Sequence, residues 1–203
     1  MKSTDTSSSH YDICLASGSP RRLMLLEQIG LTPLVLPPDV DESVLPDETP
    51  HDYVERLALM KSQHGFAEQQ ARKHSPALVT VGSDTSVVID GKILGKPRDM
   101  EEGLAMLSLL SARTHQVFTG VAVTSSQGSD AVVQVSDVTF TEISPQQQRQ
   151  YWDTGEPHDK AGAYGIQALG AMFVQHLSGS FTGVMGLPLF ETAVLLRRHG
   201  LDC

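Results

Sequence analysis

Asp12-Ile13-Cys14-Leu15-Ala16-Ser17-Gly18-Ser19-Pro20-Arg21-Arg22 is the segment on which the architecture of this 203-residue chain rests. Its first part is short and apolar, and leucines at helical spacing follow it as far as Gly30. Ser19 suits the N-cap of a helix, Pro20 suits the first helical position, and Gly30 suits the end. The segment therefore predicts a strand, a tight loop and a helix in direct succession.

Strands and helices alternate irregularly along the rest of the chain. Further strands are predicted at residues 32–36, 78–81, 87–89, 92–94, 117–124, 131–140 and 172–175, and further helices at 50–73, 100–110, 145–154 and 188–200. Asp90-Gly91 suits a type I′ turn and gives the strongest hairpin signal. We therefore predict an α/β fold with a mixed twisted sheet, flanking helices and two lobes around a cleft. Residues 1–11 are interpreted as a flexible tail and 12–203 as one domain.

The charge balance and the cysteine content exclude several classes of protein. The formal net charge is −9, which gives no overall attraction to nucleic acid or to an anionic membrane. The two cysteines, Cys14 and Cys203, provide no disulfide framework, and the sequence has no asparagine to accept an N-glycan. We therefore expect a cytoplasmic protein without nucleic-acid or membrane partners, in which any anion site is a local group of basic residues.

The first candidate for chemistry is Ser17-Gly18-Ser19-Pro20-Arg21-Arg22, at the junction of the predicted strand and helix. Backbone amides and the positive end of the helix dipole attract anions there, and arginine binds phosphate through two parallel hydrogen bonds. A capped helix with solvated arginines is the alternative. Arginine at a helix N-terminus opposes the dipole, which favours a bound anion at this position.

The second candidate is Asp84 in Gly82-Ser83-Asp84-Thr85, which follows an apolar segment. If that segment ends as a strand there, Asp84 lies where α/β proteins usually hold ligands, and its carboxylate could accept a proton from water or bind a divalent cation. An aspartate that starts a hairpin and bonds its own backbone is the alternative.

Two glycine-interrupted segments, Gly95-Lys96-Pro97 and 159–167, are further candidates. Glycine lets the backbone approach a planar ligand, and the amide of Gln167 offers both a donor and an acceptor to a base edge. The chain contains no GxxxxGK[ST], GxGxxG, GxSxG or HExxH motif, so a Walker ATPase, a Rossmann dehydrogenase, an α/β-hydrolase and a zincin lose their usual support.

Taken in order, these motifs resemble the Maf-like nucleotide pyrophosphatases, which are similar in fold to the inosine triphosphate pyrophosphatases. The matching segments are Leu15–Arg22, Gly82–Thr85, Gly95–Asp99, Asp159–Gln167 and Gly183–Pro188. The likeness extends over residues 11–196. Ser83 departs from the pattern, since alanine is commoner between the glycine and the aspartate.

The resemblance implies a role for each of ten residues. Asp84 resembles the general base, and the metal-side carboxylates are Asp84 and Glu42. The phosphate-side residues are Ser17, Arg22, Lys61, Lys96 and Lys160. The set that selects dTTP and UTP is Arg21, Thr85 and Gln167.

The resemblance also implies an activity. It implies hydrolysis of dTTP and UTP, with CTP and modified pyrimidine nucleotides as further substrates, to the nucleoside monophosphate and pyrophosphate. A divalent cation, Mg²⁺ or Mn²⁺, is the implied cofactor, and a homodimer is the implied assembly. The alternative is a regulator of cell division that senses nucleotides without cleaving them.

Overall fold

The computed structural model describes residues 11–72 and 77–202. Residues 1–10 of the predicted tail, the predicted helix end at Lys73, and Cys203 lie outside the described residues.

The strands are β1 Ile13–Ala16, β2 Pro33–Val35, β3 Thr80–Ile89, β4 Lys92–Leu94, β5 Thr114–Ser125, β6 Gly128–Phe140 and β7 Val174–Ser178. They form one seven-stranded sheet in the order β2-β1-β3-β5-β6-β7, with β4 paired to β3. β1 is parallel to β2 and β3, whereas the other pairs are antiparallel, so the predicted mixed sheet is confirmed.

Four of the six helices in the described part of the chain begin at the residue that the sequence predicts, and the last begins one residue later. The helices are α1 Pro20–Gln28, α2 Pro50–Ala71, α3 Met100–Leu110, α4 Pro145–Asp153, α5 Phe181–Met185 and α6 Leu189–Arg198. The sequence did not predict α5 or the three 3₁₀ turns, which are Glu156–Asp159, Ala161–Ala163 and Leu169–Phe173. Among the described residues, every helix is too short or too polar to cross a bilayer.

The hairpin predicted at Asp90-Gly91 is confirmed. Both residues have positive φ, 51° and 72°, as a type I′ turn requires. The turn joins β3 to β4, with Ile89 opposite Lys92.

β3 differs from the sequence prediction. The sequence predicts separate strands at 78–81 and 87–89, but the structure has one continuous strand of ten residues. The intervening residues stay extended because they pair with β5, where Asp84 lies opposite Gly120. Asp84 therefore lies in the middle of a strand, and its placement at a strand end or at the start of a hairpin is wrong.

α2 lies unusually close to the sheet because two glycines face it. A Cβ on Gly82 would lie 2.5 Å from the carbonyl oxygen of Ala58, and one on Gly120 would lie 2.2 Å from that of Val54. The missing side chains let the helix backbone approach β3 and β5. As a result, Lys61 of α2 reaches Asp84 of β3.

We expect Gly120→Ala to destabilise the protein by about 3 kcal/mol, because the new methyl group meets helix backbone that cannot move aside alone. Urea unfolding at equilibrium measures this loss. Gly95→Ala is the matched control, since a Cβ there meets nothing within 4 Å. Equal stability of the two variants would contradict the close approach of α2.

Candidate active site

A cleft of about 590 Å³ opens beside β3, between the loop after β1 and the 3₁₀ turns that follow α4. This volume is within the range of small-molecule sites. All ten residues that the sequence singled out line it, namely Ser17, Arg21, Arg22, Glu42, Lys61, Asp84, Thr85, Lys96, Lys160 and Gln167. The fold thus brings together residues that are up to 150 positions apart along the chain.

Lys61 joins two carboxylates on one side of the cleft. Its Nζ lies 2.7 Å from Asp84 Oδ1 and 2.6 Å from Glu42 Oε1. The side chains of Lys61 and Asp84 are only 7% and 12% exposed, whereas that of Glu42 is 53% exposed. One ammonium group therefore balances a buried and a half-exposed carboxylate.

The two carboxylates have pKa values shifted in opposite directions. Burial raises the pKa of Asp84 above its ordinary value, although the charges of Lys61 and Arg22 oppose the shift. Burial also acts to raise the pKa of Glu42, but the hydrogen bond and charge of Lys61, together with other nearby cations, outweigh it and lower that pKa. Carboxylates whose pKa values are pushed apart by their surroundings are typical of acid–base sites.

Arg22 is directed across the cleft floor instead of into solvent. Its Nη1 donates to Ser17 Oγ at 3.0 Å, its Nε donates to the carbonyl oxygen of Gly186 at 2.8 Å, and its Nη2 donates to Thr85 Oγ1 at 3.4 Å. The alternative of a solvated arginine is therefore wrong for Arg22. Because three of its five N–H groups already have protein partners, fewer remain for a phosphate than the motif implied.

The loop that joins β1 to α1 lines the cleft with Ser17, Gly18 and Ser19. Ser17 Oγ accepts a hydrogen bond from the backbone N–H of Ser19 at 3.2 Å. Ser19 occupies the N-cap as predicted, but its side chain makes no capping hydrogen bond. The turn is therefore held by Ser17 and not by its N-cap residue.

Asp159 links the two walls of the cleft, and the sequence analysis gave it no separate role. Its Oδ2 lies 3.4 Å from Arg21 Nη1, and its Oδ1 lies 2.7 Å from Lys160 Nζ. Lys160 also donates to the backbone carbonyl of Glu156 at 2.6 Å. Because Arg21 and Asp159 are 138 positions apart along the chain, no local pattern could have revealed their contact.

Ser83 is a second residue that the sequence analysis left without a role. Its Oγ lies 2.8 Å from the carbonyl oxygen of Gly120 and 2.9 Å from that of Gly186, which also accepts from Arg22. The departure from the commoner alanine was the only sequence signal for this contact. The hydroxyl ties β3 to the loop between α5 and α6 at the cleft floor.

Two sets of acidic residues are candidates for binding a cation. Glu42 and Asp84 face the cleft and share Lys61. In the described part of the chain, the one group of three closely spaced ligand atoms is His51, Asp52 and Glu55, at the start of α2 and outside the cleft lining. Exposed groups of this kind are common without a metal, so the cleft pair is the better placed of the two.

Comparison with known proteins places the chain in a family. Residues 12–199 match the family model described as Maf-like protein. A dTTP/UTP pyrophosphatase of Saccharophagus degradans is 52% identical over 200 residues, which cover 94% of this chain and 93% of that protein. A dTTP/UTP pyrophosphatase of Pseudoalteromonas atlantica is 46% identical over 93% of this chain and 97% of its own length. A nucleoside triphosphate pyrophosphatase of Haemophilus ducreyi is 46% identical over 95% and 98% of the two chains. With its motifs, its mixed sheet and these full-length relatives, the chain belongs to the Maf-like protein family.

Proposed function

We propose that this protein hydrolyses dTTP and UTP to the nucleoside monophosphate and pyrophosphate. The observation that carries the proposal is the buried Asp84 carboxylate, held by Lys61 in a cleft with four further basic side chains. The near full-length relatives named dTTP/UTP pyrophosphatase support the same reaction. CTP and modified pyrimidine nucleotides are further candidate substrates.

The cleft concentrates positive charge in an acidic protein. Arg21, Arg22, Lys61, Lys96 and Lys160 all line it, although the chain as a whole has a net charge of −9. Phosphoryl transfer depends mainly on positioning the triphosphate and on neutralising the charge that develops in the transition state. We assign this work to Arg22, Lys61 and Lys96, with Ser17 and Lys160 completing the phosphate side.

Asp84 is the proposed general base. Its carboxylate takes a proton from a water molecule as the water oxygen attacks the α-phosphorus, and pyrophosphate leaves on the opposite side. A general base works best when its pKa approaches the working pH, and burial moves the pKa of Asp84 in that direction. The hydrogen bond from Lys61 fixes the orientation of the carboxylate during this step.

A divalent cation, Mg²⁺ or Mn²⁺, fits the same side of the cleft. Mg²⁺ is usually bound by one or two carboxylates together with substrate phosphates, and Glu42 and Asp84 supply such a pair. When bound, the cation would supply charge neutralisation to the phosphate oxygens. Since Lys61 already balances both carboxylates, we expect tight cation binding to require the triphosphate as well.

The base of the nucleotide is assigned to Arg21, Thr85 and Gln167, which line the same cleft. A nucleotide-sensing regulator without turnover is the alternative, but it gives no reason to bury Asp84 beside Lys61. The two functions differ in whether pyrophosphate is released. Homodimer formation and a cytoplasmic location stay predictions.

We expect pyrophosphate release from dTTP and UTP with Mg²⁺ or Mn²⁺, and much slower release from GTP and 7-methyl-GTP. Asp84→Asn should lower the rate at least about 100-fold, because the amide cannot accept the proton. Colorimetric detection of pyrophosphate in the wild type and the variant measures both effects. Binding of dTTP by the wild type without any release would move the protein to the sensing class.

The raised pKa of Asp84 also predicts how stability depends on pH. Between the two pKa values, the folded protein keeps a proton on Asp84 that the unfolded chain has released. The contribution of Asp84 to stability is therefore fully present below the unfolded pKa of about 4 and is lost as pH rises through the folded pKa. The amide in Asp84→Asn does not ionise, so this variant does not lose that stability as pH rises. We therefore expect this variant to be more stable than the wild type at about pH 8, with a smaller difference towards about pH 4.

Urea unfolding of both proteins over this pH range measures the difference. Glu142→Gln, which removes an acid at an exposed position, is the control for the change in net charge. An advantage of the wild type that grows with pH would show that the pKa of Asp84 is shifted the other way.

A further inference from the structure

Gln167 lies on a short segment whose far end is held by one carboxylate. Glu156 Oε2 accepts a hydrogen bond from the backbone N–H of Leu169 at 2.9 Å, and its Oε1 accepts one from that of Gly170 at 3.0 Å. These are the first amides of the 3₁₀ turn Leu169–Phe173. Glu156 therefore satisfies backbone donors that would otherwise be free at the start of a helical turn.

The near end of the same segment is held by the same carboxylate through a tyrosine. Tyr151 Oη donates to Glu156 Oε1 at 2.7 Å and accepts from the backbone N–H of Gly165 at 3.1 Å. Tyr151 is 2% exposed, and burial together with the bond to Glu156 raises the pKa of its phenol. The phenol therefore keeps its proton and remains a donor to Glu156.

The segment between these anchors has little room to move. A Cβ on Gly170 would lie 2.6 Å from both the carbonyl oxygen of Gly165 and Tyr151 Oη. Ile166 is buried in the core, and its neighbours Gly165 and Gln167 line the cleft. Since both ends and one side chain are fixed, Glu156 and Tyr151 hold the backbone on either side of Gln167.

We propose that Glu156 and Tyr151 are positioning residues that set the nucleobase preference of the cleft by holding Gln167 in place. Neither residue lines the cleft, so each acts through the backbone of residues 165–170. The inference rests on the proposed function, because it takes Gln167 to contact the base. A site built to hydrogen-bond one base discriminates against another only if its donors and acceptors are held in register.

The test is the ratio of kcat/KM for dTTP to that for GTP in the wild type, Tyr151→Phe and Glu156→Gln. Tyr151→Phe keeps the ring that packs on Phe173 but leaves the Gly165 amide unpaired. We expect the ratio to fall about tenfold, mainly through a higher KM for dTTP, because base contacts bind the ground and transition states alike. Inhibition by inorganic tripolyphosphate should stay unchanged, since it carries no base.

Glu156→Gln is the second variant. Its side-chain NH₂ group would face the Leu169 N–H, which is also a donor, so that hydrogen bond would be lost. Ser108→Ala is the stability control. Ser108 Oγ donates to Gln148 Oε1 at 2.9 Å, so this change removes one hydrogen bond to α4, the helix that carries Tyr151, without touching the anchored segment.

An unchanged ratio in folded Tyr151→Phe and Glu156→Gln, or an equal fall in Ser108→Ala, would overturn the inference. A loss of kcat shared by all nucleotides would do the same, because it would place the effect on the phosphate side. If the wild type released no pyrophosphate, the proposed function would fail. Equilibrium binding of dTTP and GTP to the same variants would then decide the role of the two residues separately.

Discussion

The ion cluster of Lys61, Asp84 and Glu42 is the interaction around which the rest of the cleft is arranged. Taking an ammonium and a carboxylate out of water is costly, and it is tolerated only when the partners are held in good geometry. Removing Lys61 would leave the buried Asp84 carboxylate without its ammonium partner, which is more destabilising than losing an exposed ion pair, whereas removing Asp84 leaves Lys61 paired with Glu42. The elements that carry these residues must therefore keep fixed positions relative to each other.

α2 supplies much of that rigidity. It carries Lys61, and through Tyr53 and Arg56 it also holds the irregular loop that contains Glu42. Tyr53 Oη donates to the backbone carbonyl of Glu42 at 2.9 Å, and Arg56 Nη2 donates to that of Ser43 at 3.0 Å. The helix can do both because glycines in β3 and β5 let it lie close to the sheet. The position of the loop therefore depends on the helix, and the position of the ion cluster depends on both.

The sequence predicted those parts of the fold that have local signals. The turn at Asp90-Gly91 and the strand, loop and helix around Pro20 were predictable because turn and cap residues act within a few positions. The continuity of β3 was not predictable, since it depends on β5, about 35 residues later in the chain. A polar run such as Gly82–Thr85 suggests a break unless the partner strand is known.

The candidate site shows the same limit. Residue patterns made the turn Ser17–Arg22 a candidate for phosphate binding and left the role of Asp84 open, whereas the resemblance to a family supplied Lys61 and Glu42. Within the helical pattern of α2, a lysine that points at a buried carboxylate looks the same as one in solvent. The contacts made by Asp159 and Ser83 join segments about 140 and 100 residues apart, so no local pattern contained them.

The two walls of the cleft are built by different means, which would separate the proposed chemistry from the proposed selectivity. The wall with Asp84 and Lys61 consists of a central strand and a long helix, which share a buried interface and resist displacement. The wall with Gln167 consists of 3₁₀ turns and glycines, whose backbone amides depend on a few side-chain acceptors. A substitution in the second wall can therefore shift Gln167 slightly and leave the carboxylate and its lysine where they are. Such an arrangement would let the nucleobase preference diverge among relatives while the hydrolytic step stays the same.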